Sequence, residues 1–274
     1  MIRVSCVIPV DGRSDYLRRS LETLLRQSAL ERGLTAEILV VDNSRSPDRQ
    51  NETFKVCREA HRPGAKRTVQ LRYIAARHPN PTHHNASYPL NVGIRLARGS
   101  VILISAADIL HVTETLEQHL DHHRYGTEVM VFSFCRDCPA STPLEPSILH
   151  AAIQDRRFRL RMASHTDWFG GMCCSAKRRH LVEVGGFEET FSSWGYEDYD
   201  LARRLLLRGL SVIRDDGIQV LHQMHPTSGG TAWSMKLYAG LRQLLRTRDA
   251  NRHRPWGETK SDPVVIDESL LEAS

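Results

Sequence analysis

Blocks of apolar residues separated by polar stretches organise the first hundred residues. A buried strand is predicted at 3–10, where the run Val-Ser-Cys-Val-Ile-Pro-Val is short, apolar and β-branched. A helix follows, because Leu17, Leu21, Leu24 and Leu25 recur at helical spacing on one face. Further strands are predicted at AEILVVDN, VQLRYIA and SVILISAAD, with helices between them. This alternation predicts an α/β fold with an open, mainly parallel sheet and helices on both faces.

The second half of the chain has a less regular pattern. EVMVFSF predicts a strand, and residues 139–165 are irregular and then weakly helical. A helix is predicted at YEDYDLARRLLLRG, with Leu201, Leu205 and Leu206 on its apolar side and Gly209 at its C-terminal end. LSVIRD and IQVLH predict two short strands, and AWSMKLYAGLRQLLRTR predicts a helix. The polar, acidic end is expected to be flexible.

Composition excludes several classes of protein. The chain has 274 residues, 41% of them hydrophobic and 25% charged, which is typical of a soluble globular protein. Its net charge of +5 comes from short basic runs without interleaved aromatic residues, so nucleic acid is not an expected partner. These runs either form a solvated surface or attract an anionic substrate. Apolar runs are shorter than the ~20 residues of a membrane span, so we expect no integral membrane segment. Because no leader precedes the first strand, a cytoplasmic location is expected.

Acidic residues follow three of the predicted strands. Asp11 follows the first strand, Asp42 and Asn43 end the second, and Asp108 ends the fourth. Ligands of open α/β sheets bind at the carboxyl ends of the strands, near the switch in strand order. An acid there can bind a ribose hydroxyl or a base N–H, although each one alone could equally cap a helix or form a turn. Together they predict a nucleotide site at this edge.

These segments, in this order, resemble glycosyltransferase family 2, whose GT-A fold is a Rossmann-like α/β sheet. In that family the first strand ends in Ile-Pro, and the second ends in an acid that holds the nucleotide base. An Asn-x-Gly helix follows, then a glycine and a strand with an Asp-x-Asp metal motif. The corresponding positions here are Pro9, Asp42, Asn91, Gly93, Gly99 and Asp108.

The second half resembles chondroitin-polymerase-like and galactosyltransferase-like enzymes. The resemblance lies in three segments, FGGMCCSAKRRHLVEVGGF, SWGYEDYDLARRL and VLHQMHP, and the whole match covers residues 3–226. It implies a nucleotide-sugar-binding half at 1–110 and an acceptor-binding, catalytic half of the same domain at 111–226. Residues 227–274 would form a C-terminal helix and a flexible tail.

The resemblance also implies roles for individual residues. An inverting transfer needs a carboxylate that takes the proton of the acceptor hydroxyl, and Asp198 matches that position, with Glu197 holding the acceptor. Acids at a helix N-terminus are also favoured by the helix dipole alone. Trp194 would stack on a sugar ring, and Gly170 and Gly171 would allow close approach of the backbone. The implied donor-binding residues are Pro9, Asp11, Asp42, Asn91 and Asp108.

The metal motif departs from the family pattern. It reads Ala106-Ala107-Asp108, so the first acid is missing and only the last remains. Mn²⁺ or Mg²⁺ prefers oxygen ligands, and Mn²⁺ also accepts imidazole, so Asp108 and a late histidine would form a weaker site. His222 matches the family's histidine better than His225, although both remain candidates. Metal independence is the alternative.

We therefore expect a metal-assisted, inverting glycosyltransferase with a nucleotide-sugar donor, UDP-sugar by resemblance. A glycan, a lipid-linked sugar, a peptide and a small metabolite are all compatible acceptors. One alternative is a degenerate glycosyltransferase fold that binds a nucleotide or glycan without catalysis, which Ala106 favours and Glu197, Asp198 and His222 oppose. A nucleotidyltransferase is disfavoured, because the loop after the first strand is short and lacks a glycine-rich, basic sequence.

Overall fold

The first half of the molecule alternates strands and helices, as the apolar pattern predicts. A computed structural model describes residues 2–61, 69–80, 85–161, 172–191, 197–226, 250–251 and 254–267. The elements of the first half are β1 (Val4–Val10), α1 (Ser14–Leu25), α2 (Ser28–Glu31), β2 (Ala36–Asp42), α3 (Pro47–Ala60), β3 (Val69–Ala75), α4 (Ser87–Leu96) and β4 (Val101–Ser105).

The second half adds further strands to the same sheet. Its elements are β5 (Ile109–His111), α5 (Thr115–His122), β6 (Val129–Cys138), α6 (Pro146–Gln154), β7 (Cys173–Lys177), α7 (Arg178–Glu183), α8 (Glu197–Leu207), β8 (Ser211–Gln223) and β9 (Val264–Ile266). The boundary expected between residues 110 and 111 falls inside β5, and both halves contribute strands to one sheet.

The described strands form a nine-stranded sheet in the order β5-β8-β6-β7-β4-β1-β2-β3-β9. Its centre is parallel, since β1 pairs in parallel with β2 and β4, and β2 pairs in parallel with β3. The chain runs outward from β1 to β3 and then returns to β4 on the other side of β1. The strand order therefore switches between β1 and β4, where ligands of such sheets bind. The predicted α/β class is confirmed.

Burial explains the uninterrupted apolar runs of the central strands. Every residue of β2 and β4 is buried, because helices cover both faces of the sheet. Leu17, Leu21 and Leu24 form the buried face of α1, as predicted. On α4, a Cβ atom at Gly93 would collide with the side chain of Val7 on β1. The glycine thus lets this helix lie directly against the sheet.

The two short strands predicted near residues 211 and 218 are one continuous strand, β8. Its register against β6 shifts between Ser133 and Phe134, which pair with Asp215 and Gln219. The bulge is held by a hydrogen bond from the Gly217 amide to Asp215 Oδ1, at 2.8 Å. A bulge breaks the alternating pattern without ending the strand, and this is why the sequence suggests two elements.

The expectation of a flexible tail is wrong for part of the C-terminal segment. Residues Val264–Ile266 form β9, which pairs antiparallel with β3. Further upstream, the Asn251 side chain donates to the carbonyls of Gly185 and Phe187, both at 2.7 Å. The helix predicted at AWSMKLYAGLRQLLRTR lies outside the described residues. Among the described helices, none is long and apolar enough to cross a membrane.

Candidate active site and metal centre

The loop after β1 places a cationic side chain at the switch point of the sheet. Gly12 has a φ of 62°, in the left-handed region that glycine adopts without strain. Its amide donates to Ser44 Oγ at 2.9 Å, which ties the loop to the end of β2. The next residue, Arg13, extends toward the end of β4 and donates from Nη1 to Asp108 Oδ2 at 2.6 Å.

Two histidines complete a cluster around Asp108. Strand β8 pairs with β5, and His222 lies opposite Ile109 in this pairing. Because Ile109 directly follows Asp108, His222 is brought close to Asp108. The Asp108 Oδ2 atom is 3.1 Å from His225 Nε2 and 3.8 Å from His222 Nε2. One ligand atom from each of the three residues lies within 4.8 Å of the others. The structure thus brings together the three residues that the sequence analysis proposed as metal ligands.

Hydrogen bonds orient both imidazole rings for metal binding. His222 Nδ1 is 2.8 Å from Asp137 Oδ1, and His225 Nδ1 is 3.1 Å from the Pro226 carbonyl oxygen. Both acceptors favour the tautomer with the proton on Nδ1. The lone pair of His222 Nε2 then faces Asp108, whereas His225 Nε2 is hydrogen-bonded to Asp108 and must give up its proton to bind a metal ion.

Asp137 is a site residue that sequence reasoning missed. It lies on β6 opposite His222 in the pairing with β8, and it is 5% exposed. Besides the bond with His222, its Oδ1 atom accepts a hydrogen bond from Arg161 Nε at 2.6 Å. The available signal was a carboxylate near the end of a mainly apolar strand, since a buried charge needs a partner.

Electrostatics favour the ligating forms of Asp108 and His222. Burial raises the pKa of Asp108, but the hydrogen bond with His225 and the charges of His222 and Arg13 outweigh it, so the net pKa is lowered. Burial lowers the pKa of His222, and Asp108 opposes this shift only in part. For His225, the hydrogen bond with Asp108 raises the pKa and burial opposes it. Near neutral pH, Asp108 is therefore ionised and His222 is neutral.

The donor set fits a divalent cation. Asp108 Oδ1 is buried, and within the described residues it has no hydrogen-bond partner. One carboxylate and two imidazoles suit Mn²⁺ better than Mg²⁺, which prefers oxygen ligands throughout. Ala106 supplies no ligand, and its amide donates to the Met172 carbonyl at 3.0 Å. Three protein ligands would leave coordination positions for the oxygens of a diphosphate.

At the end of β2, Asp42 is fully buried and bonded within the protein. Its Oδ1 accepts from the Ser44 amide at 2.8 Å, and its Oδ2 accepts from the Tyr73 hydroxyl at 3.0 Å. Burial raises the pKa of its carboxyl, and the bonds with Ser44 and Tyr73 oppose that shift. The other donor-side candidates differ in exposure: Pro9 is half-buried on β1, and Asp11 is exposed. Contact of these residues with a nucleotide stays a prediction.

Asn91 joins two segments that the sequence analysis treated separately. Its Nδ2 atom donates to the Phe187 carbonyl and to Glu189 Oε1, both at 2.8 Å. Its Oδ1 atom accepts from the Phe187 amide at 2.7 Å. The amide group is fully buried and engaged by these bonds, which favours a structural role over the predicted contact with the donor. Asn91 holds the Gly-Gly-Phe segment against α4.

The candidate catalytic acids begin α8. Glu197 is buried and Asp198 is half-buried. Burial raises the pKa of the Cys174 thiol, and the negative charge of Asp198 raises it further, so Asp198 lies within electrostatic range of β7. The neighbouring Cys173 pairs with Ser105 at the end of β4, which brings Asp198 to the same edge of the sheet as Asp108.

Asp200, also on α8, is bonded within the protein, and three of the proposed acceptor residues lie outside the described part of the chain. Asp200 is fully buried and accepts from Arg204 Nε at 2.9 Å, so it is an internal ion pair and does not face solvent. The proposed acceptor residues Trp194, Gly170 and Gly171 lie outside the described residues.

The sheet topology and the Asp–His cluster at its switch point define an α/β protein of the GT-A type. A model of "Glycosyl transferase family 2" matches residues 5–185, more than half of the chain. The protein therefore belongs to glycosyltransferase family 2. A second model, described as "N-terminal domain of galactosyltransferase", matches residues 148–226.

Curated relatives share short segments with this chain. "Uncharacterized glycosyltransferase YfnE" of Bacillus subtilis (strain 168) is 43% identical over 54 residues, which is 20% of this chain and 14% of that protein. "Chondroitin sulfate synthase 3" of Homo sapiens is 37% identical over 60 residues, 22% of this chain and 7% of that protein. The matches thus span a small part of each relative. The expected resemblance to chondroitin-synthesising and galactosyltransferase-like enzymes is confirmed.

Solved structures support the fold. The mannosyltransferase PcManGT from Pyrobaculum calidifontis, in complex with GDP-Man and Mn²⁺, superimposes with a TM-score of 0.60 at 20% identity, covering 90% of this chain and 65% of that one. GalNAc-T7 with UDP, GalNAc and Mn²⁺ gives 0.58 at 13% identity, covering 84% of this chain and 45% of that one. Both likenesses establish the GT-A architecture.

Proposed function

We propose that this protein transfers a sugar from a nucleotide-sugar donor to an acceptor hydroxyl with inversion at the anomeric carbon. The observation that carries the proposal is the cluster of Asp108, His222 and His225 at the switch point, with the Nε2 atoms of both histidines directed at the carboxylate. Mn²⁺ is the preferred ion, because the ligand set contains two imidazoles and both structural neighbours hold this ion.

The donor would lie across the carboxyl ends of β1, β2 and β4. Asp108, His222 and His225 would hold the ion, which when bound supplies positive charge to the nucleoside diphosphate leaving group. Pro9 and Asp11 line the end of β1, and Asp42 lies at the end of β2. UDP is favoured by family resemblance and by the nucleotide in one neighbour, while the other neighbour holds GDP-Man.

The chemistry falls to the two acids at the start of α8. Asp198 accepts the proton of the acceptor hydroxyl as that oxygen forms a bond to the anomeric carbon. The bond from the anomeric carbon to the diphosphate breaks at the same time, and the nucleoside diphosphate leaves from the opposite face. Glu197 binds the acceptor.

Ala106 favours a second candidate function, nucleotide or glycan binding without catalysis. The first position of the metal motif offers no oxygen ligand, so a bound ion would be held less tightly. Binding without turnover distinguishes this candidate from the transferase.

A donor screen tests both candidates. Purified protein is mixed with Mn²⁺ and one of UDP-glucose, UDP-galactose, UDP-GlcNAc, UDP-GalNAc or GDP-mannose, and its melting temperature is measured. A donor that binds the native state raises Tm with concentration. The transferase predicts that the same donor releases its nucleoside diphosphate when an added acceptor sugar or water takes up the glycosyl group, with the opposite anomeric configuration in the product by NMR. A raised Tm without any release would support the binding protein instead.

A further inference from the structure

Arg13 contacts the same atoms that the proposed metal centre would use. Its Nη1 atom is 2.6 Å from Asp108 Oδ2 and 2.9 Å from His225 Nε2. A divalent cation binds carboxylate oxygen and imidazole nitrogen atoms at about 2.0–2.6 Å. The guanidinium nitrogen of Arg13 fills the space next to these two atoms that the cation would occupy. Arg13 and a metal ion therefore exclude each other at Asp108 Oδ2 and His225 Nε2.

The charges in the cluster explain why this competition weakens metal binding. Asp108 supplies one negative charge, both histidines are ligands without charge when neutral, and Ala106 supplies none. The guanidinium of Arg13 supplies the positive charge that balances Asp108. A divalent ion must displace this cation before it gains the full attraction of the single carboxylate.

Arg13 is also placed to move. Its side chain is 33% exposed, whereas that of Asp108 is 4% exposed, so the ion pair has one partner at the surface. The backbone before it is fixed by the bond from the Gly12 amide to Ser44 Oγ. Movement is therefore confined to the long side chain. A diphosphate at this edge would give the guanidinium a second anionic partner, which it binds well through paired N–H donors.

We propose that Arg13 competes with the metal ion for Asp108 and His225. The Arg13 side chain leaves both residues when a nucleoside diphosphate offers it a new partner. Ion and nucleotide then bind cooperatively, because each favours the conformation in which Arg13 has left Asp108. This inference rests on the proposed metal site. It predicts that the affinity for the metal ion is higher in the complex with the donor than in the protein alone.

Mn²⁺ binding provides the test, since free Mn²⁺ is counted directly by its electron paramagnetic resonance signal. Wild type, Arg13→Gln and Arg18→Gln are titrated with Mn²⁺ alone and with saturating UDP or GDP. Arg18 is the matched control, because it lies on α1 with a 46% exposed side chain and pairs with Glu59. Arg13→Gln should bind Mn²⁺ alone about tenfold more tightly than wild type, within the usual 5–150-fold range of such coupling. Nucleotide should tighten Mn²⁺ binding in all three proteins, because the diphosphate also binds the ion, but about tenfold less in Arg13→Gln than in wild type and Arg18→Gln.

A second variant separates charge competition from a change in folding. Arg13→Lys keeps the cation and should retain the wild-type dependence on nucleotide, and thermal melts verify that each variant is folded. Equal Mn²⁺ affinity of wild type and Arg13→Gln would overturn the role of Arg13 while leaving the metal site intact. Mn²⁺ binding that survives Asp108→Asn unchanged would overturn the metal site and, with it, this inference.

Discussion

Asp137 accepts hydrogen bonds from both His222 and Arg161, and through His222 it orients a proposed metal ligand. Outer partners of this kind usually change metal affinity by about 10–100-fold when they are lost. Asp137→Asn should therefore weaken Mn²⁺ binding in the presence of UDP by at least about tenfold, because the neutral amide holds the His222 ring less firmly.

Calorimetric titration of the Asp137→Asn variant with Mn²⁺ measures this effect. Asp216→Asn is the control, since Asp216 lies on the same strand as His222 but is exposed and pairs with Arg214. Equal affinity in Asp137→Asn and the control would exclude a role of Asp137 in orienting the ligand.

The two acids at the start of α8 should separate chemistry from binding. Asp198→Asn keeps the size of the side chain and removes its proton-accepting charge, so kcat should fall by about 10²–10⁴ with donor affinity nearly unchanged. Glu197→Gln should raise the KM for the acceptor more than it lowers kcat. Steady-state kinetics measures both values. If Glu197→Gln abolishes turnover and Asp198→Asn preserves it, the two roles are exchanged.

Among elements, α4 and the segment after α7 depend on one side chain. Asn91 makes three hydrogen bonds to Phe187 and Glu189 across this contact. Asn91→Ala removes the acceptor of the Phe187 amide and one of the two donors to the Phe187 carbonyl, which keeps its bond from Asn251, and the loss of such buried bonds costs about 1–3 kcal/mol. We expect a lower free energy of unfolding in urea, together with unchanged UDP affinity in the variant that remains folded. Lost UDP affinity at unchanged stability would return Asn91 to the donor site.

Elements with long, unbroken apolar runs were predictable from the sequence. β1, β2 and β4 were foreseen because burial on both faces leaves a short run rich in apolar, β-branched residues, and β3 was foreseen although Gln70 and Arg72 interrupt its run. β5 and β9 have three residues each and β7 has five, too few for a period to appear. Their pairing depends on neighbouring strands, and so they could not be read from local pattern.

The proposed metal ligands were predicted, but their surroundings were not. Asp108, His222 and His225 carried motif signals in the sequence. Asp137 and His222 lie 85 positions apart, and Arg13 and Asp108 lie 95 apart. Only the register of β8 against β6, and the left-handed turn at Gly12, bring these pairs together. Long-range pairing of this kind leaves no trace in hydrophobic periodicity.

Across the whole molecule, buried histidines link stability to pH. Burial lowers the pKa of His111 to about 3 and that of His123 to about 4, and it also lowers the pKa of His119. A lowered pKa means that the unfolded chain binds protons first as pH falls below 6.5, the ordinary value for histidine. The stability is therefore present above pH 6.5 and is lost as pH falls toward the native pKa values.

Urea denaturation at pH 7.5 and pH 5.0 measures this loss. His123 alone should account for about 2 kcal/mol between these two pH values. His123→Gln, which keeps a donor for Ser175, should reduce the pH dependence. The matched control is His150→Gln on α6, where the side chain is exposed. A wild-type free energy of unfolding that is equal at both pH values would contradict the assignment of buried, neutral histidines.

The pairing of β9 with β3 has a consequence for the nascent chain. β3 offers seven residues, Val-Gln-Leu-Arg-Tyr-Ile-Ala, along one side of the sheet, and an uncovered apolar edge of that length invites other chains to add to it. Its cover is encoded almost two hundred positions later, at Val264–Ile266. During translation, the exposed edge of β3 therefore leaves the ribosome long before β9, the strand that covers it. Once paired, β9 is three residues long and flanked by Pro263 and Asp267, so it is a poor template for the addition of a further strand.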